Sequence, residues 1–136
     1  MICDICGLME EKGNTFIADL EISKFFLNKK QNFHGRSMII FNRHVEELED
    51  LTEEEMRMFV LDVKKAALAI KKSLKPDKLN YSILGNKENH LHCHIYPRYK
   101  NDGRWGKSPF SDDVKLLTEK EYAELACKIR SELKDV

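Results

Sequence analysis

Three of the chain's five histidines stand at alternate positions in the run Asn89-His90-Leu91-His92-Cys93-His94-Ile95-Tyr96-Pro97-Arg98-Tyr99. A neutral imidazole carries one lone pair and one N–H, so it can attack, donate a hydrogen bond or bind a metal near neutral pH. A spacing of two is the strand period, which turns His90, His92 and His94 to one face and Leu91, Cys93 and Ile95 to the other. In a helix the same three would fan around the axis and fail to converge. Along a strand, neighbouring imidazoles lie roughly 7 Å apart, within reach of one substrate group. The apolar set reads as a core face, which leaves the imidazoles facing a cleft. Pro97 lacks an N–H and is expected to end the strand near that point.

A second chemical signal opens the chain. Met1-Ile2-Cys3-Asp4-Ile5-Cys6-Gly7 contains Cys-x-x-Cys, a spacing that lets two thiolates share one tetrahedral zinc. The same pair also reads as packed thiols, and further ligands downstream would decide between the two. A thioredoxin-like redox pair would need a strand before Cys3, for which there is no room.

The elements that must position these residues are legible from periodicity. Residues 15–28 alternate and are rich in β-formers, which predicts two strands. Asn32-Phe33-His34-Gly35 is turn chemistry, with Gly35 free to take a positive φ and His34 exposed. Residues 36–42, around Met38-Ile39-Ile40-Phe41, predict a central strand, with His44 just beyond it. Thr52 and Glu55 form a capping box at the head of a long helix. Met56, Phe59, Val63, Ala67, Ile70 and Leu74 give that helix its apolar stripe, and Pro76 stops it. Residues 79–84 predict a strand paired with the histidine strand across the loop Gly85-Asn86-Lys87-Glu88-Asn89. Thr118 and Glu121 repeat the capping box ahead of a last helix bearing Tyr122, Leu125, Ile129 and Leu133, with Cys127 expected as a small core residue.

Composition bounds the function. A chain of 136 residues suits a single domain, 1–136. Its 42% apolar and 34% charged residues suit a soluble globule. Net charge is zero, so a DNA- or RNA-binding footprint is not expected. The longest apolar runs are too short to cross a bilayer, and the acidic start lacks the pattern of a signal peptide. The expectation is a cytoplasmic protein whose four cysteines are thiols or metal ligands.

His90-Leu91-His92-Cys93-His94-Ile95-Tyr96 resembles the His-φ-His-φ-His-φ-φ signature (φ apolar) of the histidine-triad (HIT) hydrolases and transferases. The order of strands, capped helix and triad hairpin agrees over roughly residues 1–100, the expected catalytic core, with a tail and helix over 101–136. The resemblance implies an α+β fold, an antiparallel meander sheet of about five strands with two helices. It also implies a homodimer with two nucleotide sites. In the family the middle histidine is the nucleophile, which maps to His92, and His94 contacts the phosphate. Asn86 and Asn89 stand where donors to the same oxygens are expected. Asn28 matches a position near the ribose, and Arg36 stands where several relatives carry a histidine. Trp105 lies in a segment similar to the tail of some bacterial members and is a candidate substrate contact. A zinc-containing branch of the family has ligands that map to Cys3, Cys6, His44 and His90. This closed set implies structural zinc and no catalytic metal.

The sequence therefore points to a nucleotide hydrolase. It would cleave at the α-phosphate of dinucleoside polyphosphates or nucleoside phosphoramidates, through a nucleotidyl-histidine intermediate. A nucleotidyltransferase using the same histidine is the alternative, although transferase relatives have glutamine in place of the third histidine. A non-catalytic nucleotide-binding module would use the same pocket. A metallohydrolase with zinc on the triad itself leaves Cys3 and Cys6 without a role.

Overall fold

The computed structural model describes residues 13–135, so Cys3 and Cys6 lie outside the described residues. Five strands form one antiparallel sheet in the order β1-β2-β3-β5-β4. They are β1 (Thr15–Asp19), β2 (Ser23–Leu27), β3 (Ser37–Phe41), β4 (Lys78–Ser82) and β5 (His92–Arg98). Two helices, α1 (Glu53–Leu74) and α2 (Glu119–Ser131), complete the α+β architecture. The family-like meander expected from the sequence is the fold observed.

Alternation along the strands decides which face is covered. Phe25, Ile39 and Cys93 are aligned across β2, β3 and β5 and join one core with Phe59, Ala66, Ala69 and Ile70 of α1 and Leu125, Ala126 and Ile129 of α2. Their neighbours on the other face, Phe26, Met38 and Ile40, form a separate small cluster. That second face carries His92 and His94, opposite Ile40 and Met38 respectively.

Both capping boxes close as the sequence predicts. Thr52 Oγ1 accepts from the Glu55 amide at 3.1 Å while Glu55 Oε1 accepts from the Thr52 amide at 3.0 Å. At α2 the matching Thr118 and Glu121 distances are 3.1 and 2.9 Å. Each satisfies two otherwise orphaned backbone donors. Helix α1 ends on Lys75, which adopts a left-handed φ of 51° just before Pro76.

Polar groups tie the layers together. Asp62 of α1 is fully buried and accepts from the Glu21 and Ile22 amides at 3.1 and 2.9 Å and from Ser23 Oγ at 2.6 Å. The β1–β2 turn is thus satisfied by a helix carboxylate. Where β1 bulges between Phe16 and Ala18, Arg130 of α2 reaches the Phe16 and Ile17 carbonyls. Arg98, at the far end of β5, is 2% exposed. Its guanidinium pairs with Asp102 at 2.8 Å and donates to Asn80 Oδ1 and to the carbonyls of Arg104 and Lys107. One buried side chain thereby sets the path of the segment after β5.

Two local expectations are corrected and a third holds. Strand β5 starts at His92 rather than His90, because Leu91 bonds to Val45 and Phe41 beyond the end of the β3 ladder. As expected, β5 ends near Pro97, at Arg98. Pro97 itself pairs with Leu79 of β4, while the β3 ladder has already finished at the Ser37–Ile95 pair, so no donor is needed on that side. Cys127 is exposed, and the adjacent Ala126 takes the core position.

Candidate nucleotide site

The uncovered sheet face forms the floor of a cleft of about 430 Å³, a size that suits a small organic ligand. Its apolar floor is Met38 and Ile40, its catalytic candidates are His92 and His94, and its rim carries Lys29, Lys30, Arg36 and Lys87 against Glu88, the one acid among the described lining residues. This surplus of cations on an otherwise neutral chain suits an anionic ligand.

The loop between β2 and β3 is built around Gln31, which is buried. Its Nε2 donates to the carbonyls of Asn28 and Arg36 at 2.7 and 3.0 Å, and its Oε1 accepts from the Gly35 amide at 2.8 Å. Gly35 takes φ +93°, and a Cβ there would lie 2.2 Å from Leu74 Cδ1, so glycine is required by both conformation and space. Asn28 and Arg36 are further linked by a backbone bond of 2.9 Å. Two sequence-predicted contacts are in this way held side by side at the cleft.

The triad divides into different environments. His92 Nδ1 lies 2.6 Å from the His90 carbonyl. A carbonyl only accepts, so Nδ1 holds the proton and Nε2 of the neutral ring keeps its lone pair. His94 meets His92 edge-on, with ring centroids 4.9 Å apart. Burial, then the Arg36 and His92 charges, push the His94 pKa down to about 3, so it is neutral at physiological pH. Arg36 lies over the Tyr96 ring at 4.8 Å and its own pKa is lowered by burial. Cys93, on the core side, is pushed up to about 12 by burial and is an unreactive thiol.

His90 is fully buried and does not share the cleft lining. Its Nε2 donates to the Phe41 carbonyl at 2.7 Å, which leaves the Nδ1 lone pair directed at His44 Nδ1, 3.3 Å away. Burial lowers the His90 pKa, which keeps that lone pair free of a proton. Among the described residues no group of three or more His, Cys, Asp and Glu is gathered for a metal. The His44–His90 pair is the described half of the expected ligand set.

Asn86 lines the cleft, but Asn89 is exposed and does not. Trp105 is 42% exposed, in the segment fastened by Arg98, and is not among the residues lining the cleft of this chain. Sequence reasoning missed the site roles of Met38 and Ile40. Strand pairing carries that information, since these two sit opposite His94 and His92 only once β3 is aligned beside β5.

Comparison with known proteins fits this architecture. The chain is 25% identical to a histidine triad protein of Bradyrhizobium japonicum, with a TM-score of 0.83 and coverage of 90% of this chain and 92% of that one. A zinc-bound histidine triad family protein from Mycobacterium smegmatis has a TM-score of 0.71 at 20% identity, covering 98% and 94% of the two chains. An AP-4-A phosphorylase of Mycobacterium tuberculosis is 32% identical over 108 residues, 75% of this chain, which spans only 55% of that relative's length. The HIT domain family matches residues 10–101, a span that takes in the whole sheet and α1, and the chain belongs to that family.

Proposed function

We propose that this protein is a nucleotide hydrolase that cleaves at the α-phosphate of dinucleoside polyphosphates or nucleoside phosphoramidates. The observation that carries the reading is the His92 ring, held through Nδ1 by the His90 carbonyl so that Nε2 offers a lone pair beside a cationic cleft. In the first step Nε2 forms a bond to the α-phosphorus as the bond to the leaving group breaks with its electron pair. In the second, a water oxygen bonds to phosphorus, the P–N bond breaks, and the electron pair returns to Nε2 as nucleoside monophosphate leaves. His94 hydrogen-bonds a phosphoryl oxygen and offsets the charge gathered there, with Asn86 as a further donor. The ribose would lie toward Asn28, on the Met38–Ile40 floor.

His44 and His90, with Cys3 and Cys6, are the residues that would hold a structural zinc. The 3.3 Å between the two Nδ1 atoms fits the edge of roughly 3.3 Å between two nitrogens of a tetrahedral zinc, and the zinc-bound Mycobacterium smegmatis protein shares the fold. When bound, the metal would tie the amino-terminal segment to the base of β5 and supply no chemistry at phosphorus. A cytoplasmic homodimer completes the reading. Exposed Val60 and Leu61 of α1 are apolar, and the edge of β4 is unpaired among the described residues, surface that a second copy would cover.

The likeness to an AP-4-A phosphorylase favours one second reading, in which phosphate rather than water accepts the nucleotide from His92. The test is AMP release from diadenosine tetraphosphate and from adenosine phosphoramidate, with and without inorganic phosphate, by the native chain and by His92→Ala. Release that needs phosphate and yields ADP would replace hydrolysis by transfer. Inert native protein that still bound AMP would replace both by a binding module.

A further inference from the structure

Arg36 has a geometry that the proposed chemistry does not by itself require. Its terminal nitrogen lies 3.5 Å from His94 Nδ1, its plane sits over Tyr96 at 4.8 Å, and Tyr96 is 2% exposed and braced edge-on by Phe33 at 6.0 Å. The Nε of Arg36 is buried and makes no hydrogen bond among the described residues. Among the described residues Arg36 forms no salt bridge, and its guanidinium faces a histidine ring.

A guanidinium has only donors, so the ring atom facing it must accept. An N–H at His94 Nδ1 would oppose a positive donor, whereas a lone pair there is attracted to it. With His94 neutral at physiological pH, its one proton must then sit on Nε2. The backbone fixes the neighbouring ring the other way round, because the His90 carbonyl claims a proton at His92 Nδ1.

We propose that Arg36 is a positioning residue that acts through His94, holding it as the Nε2–H tautomer so that adjacent imidazoles present opposite faces to one phosphate. His92 then offers a lone pair to phosphorus, and His94 offers an N–H to a phosphoryl oxygen. The cationic charge stays on Arg36, one hydrogen bond removed, where Tyr96 supports it by a cation–π contact. The donor at the phosphate therefore persists without protonation of His94. This inference rests on the proposed nucleotide hydrolysis for its catalytic consequence but not for the tautomer itself.

The test joins 15N spectra of the His94 ring at neutral pH with diadenosine tetraphosphate kinetics, for native protein, Arg36→Met and Arg36→Lys. Methionine keeps the stem over Tyr96 and removes every donor, while lysine keeps a donor. Expected are an unprotonated Nδ1 in the native chain, appearance of Nδ1–H in Arg36→Met, and return toward the native spectrum in Arg36→Lys. The kcat of Arg36→Met should fall on the order of tenfold with KM little changed, less than the ~10²–10³-fold typical of deleting a direct donor. Lysine should restore most of it. An unchanged tautomer in Arg36→Met overturns the inference even if kcat falls, since Arg36 would then act on substrate directly. A changed tautomer with unchanged kcat overturns it too. Lack of turnover in native protein would sink the hydrolase reading, while the nitrogen spectra would still decide the Arg36–His94 relation.

Discussion

Ile40 stands directly opposite His92 across the β3–β5 ladder, so the proposed nucleophile rises beside an apolar wall on one strand and is gripped by the backbone of its own. A ring held in this way has little rotamer freedom to lose on reaction. Replacing His92 by alanine should lower AMP release by at least ~10³-fold, with AMP affinity changed little because Asn28, Met38 and Ile40 remain. Single-turnover kinetics and AMP titration check both halves. Residual turnover within tenfold of native would remove His92 from the chemistry.

Stability should respond to acid through His94. Its folded pKa of about 3 lies below the ordinary 6.5, so between these values the unfolded chain binds more protons than the folded one. Stability therefore rises with pH across that window and is lost as pH falls from about 6.5 toward 3. The urea midpoint should decline across this range more steeply for native protein than for His94→Asn. Parallel curves would show that His94 does not contribute.

Removing either cap should be felt locally and equally. Thr52→Ala or Thr118→Ala should each destabilise by about 1 kcal/mol, read from the denaturant midpoint at constant slope. Because Glu55 also takes a bidentate contact from Arg43, the Thr52 variant keeps part of its first turn anchored. It should therefore lose no more than the Thr118 variant.

The buried Arg98–Asp102 pair should be far less tolerant. Truncating Arg98 to alanine strands a carboxylate that is only 8% exposed, and breaking such a pair typically costs about 3–5 kcal/mol. The same change frees the Arg104 and Lys107 carbonyls, so limited proteolysis should cut within 99–108 sooner than in native protein. Unchanged cleavage would mean that the segment has another anchor.

Metal content separates the two halves of the expected zinc set. Purified protein should hold about one zinc per chain, lost in Cys3→Ser and His44→Ala. Chelation should lower the melting temperature before it lowers turnover of the folded protein. Immediate loss of turnover with an intact fold would instead favour a catalytic metal.

Local patterns were legible where one residue's neighbours along the chain suffice. Period-two alternation placed Cys93 and Ile95 in the core and His92 and His94 on the opposite face. Thr-x-x-Glu located both helix starts, and Gly35 marked its turn. What was hidden depends on strands or loops meeting from far apart. Asp62 reads as one more charge on a helix until the β1–β2 turn is seen against it. Arg36 reads as a departure from a familiar pattern, and only the fold reveals the ring of His94 in front of it. Asn86 and Asn89 looked equivalent in a loop, yet only Asn86 reaches the cleft.

The Asp62 carboxylate makes two distant parts of the chain depend on each other. It supplies acceptors to residues 39 to 41 positions earlier, so the first hairpin cannot satisfy its own turn by local pairing alone. Until α1 packs, water serves those amides, and the Asp62 carboxylate is buried only once it has them as partners. The hairpin and the helix are thus each completed by the other, although 39 to 41 positions separate the bonded residues.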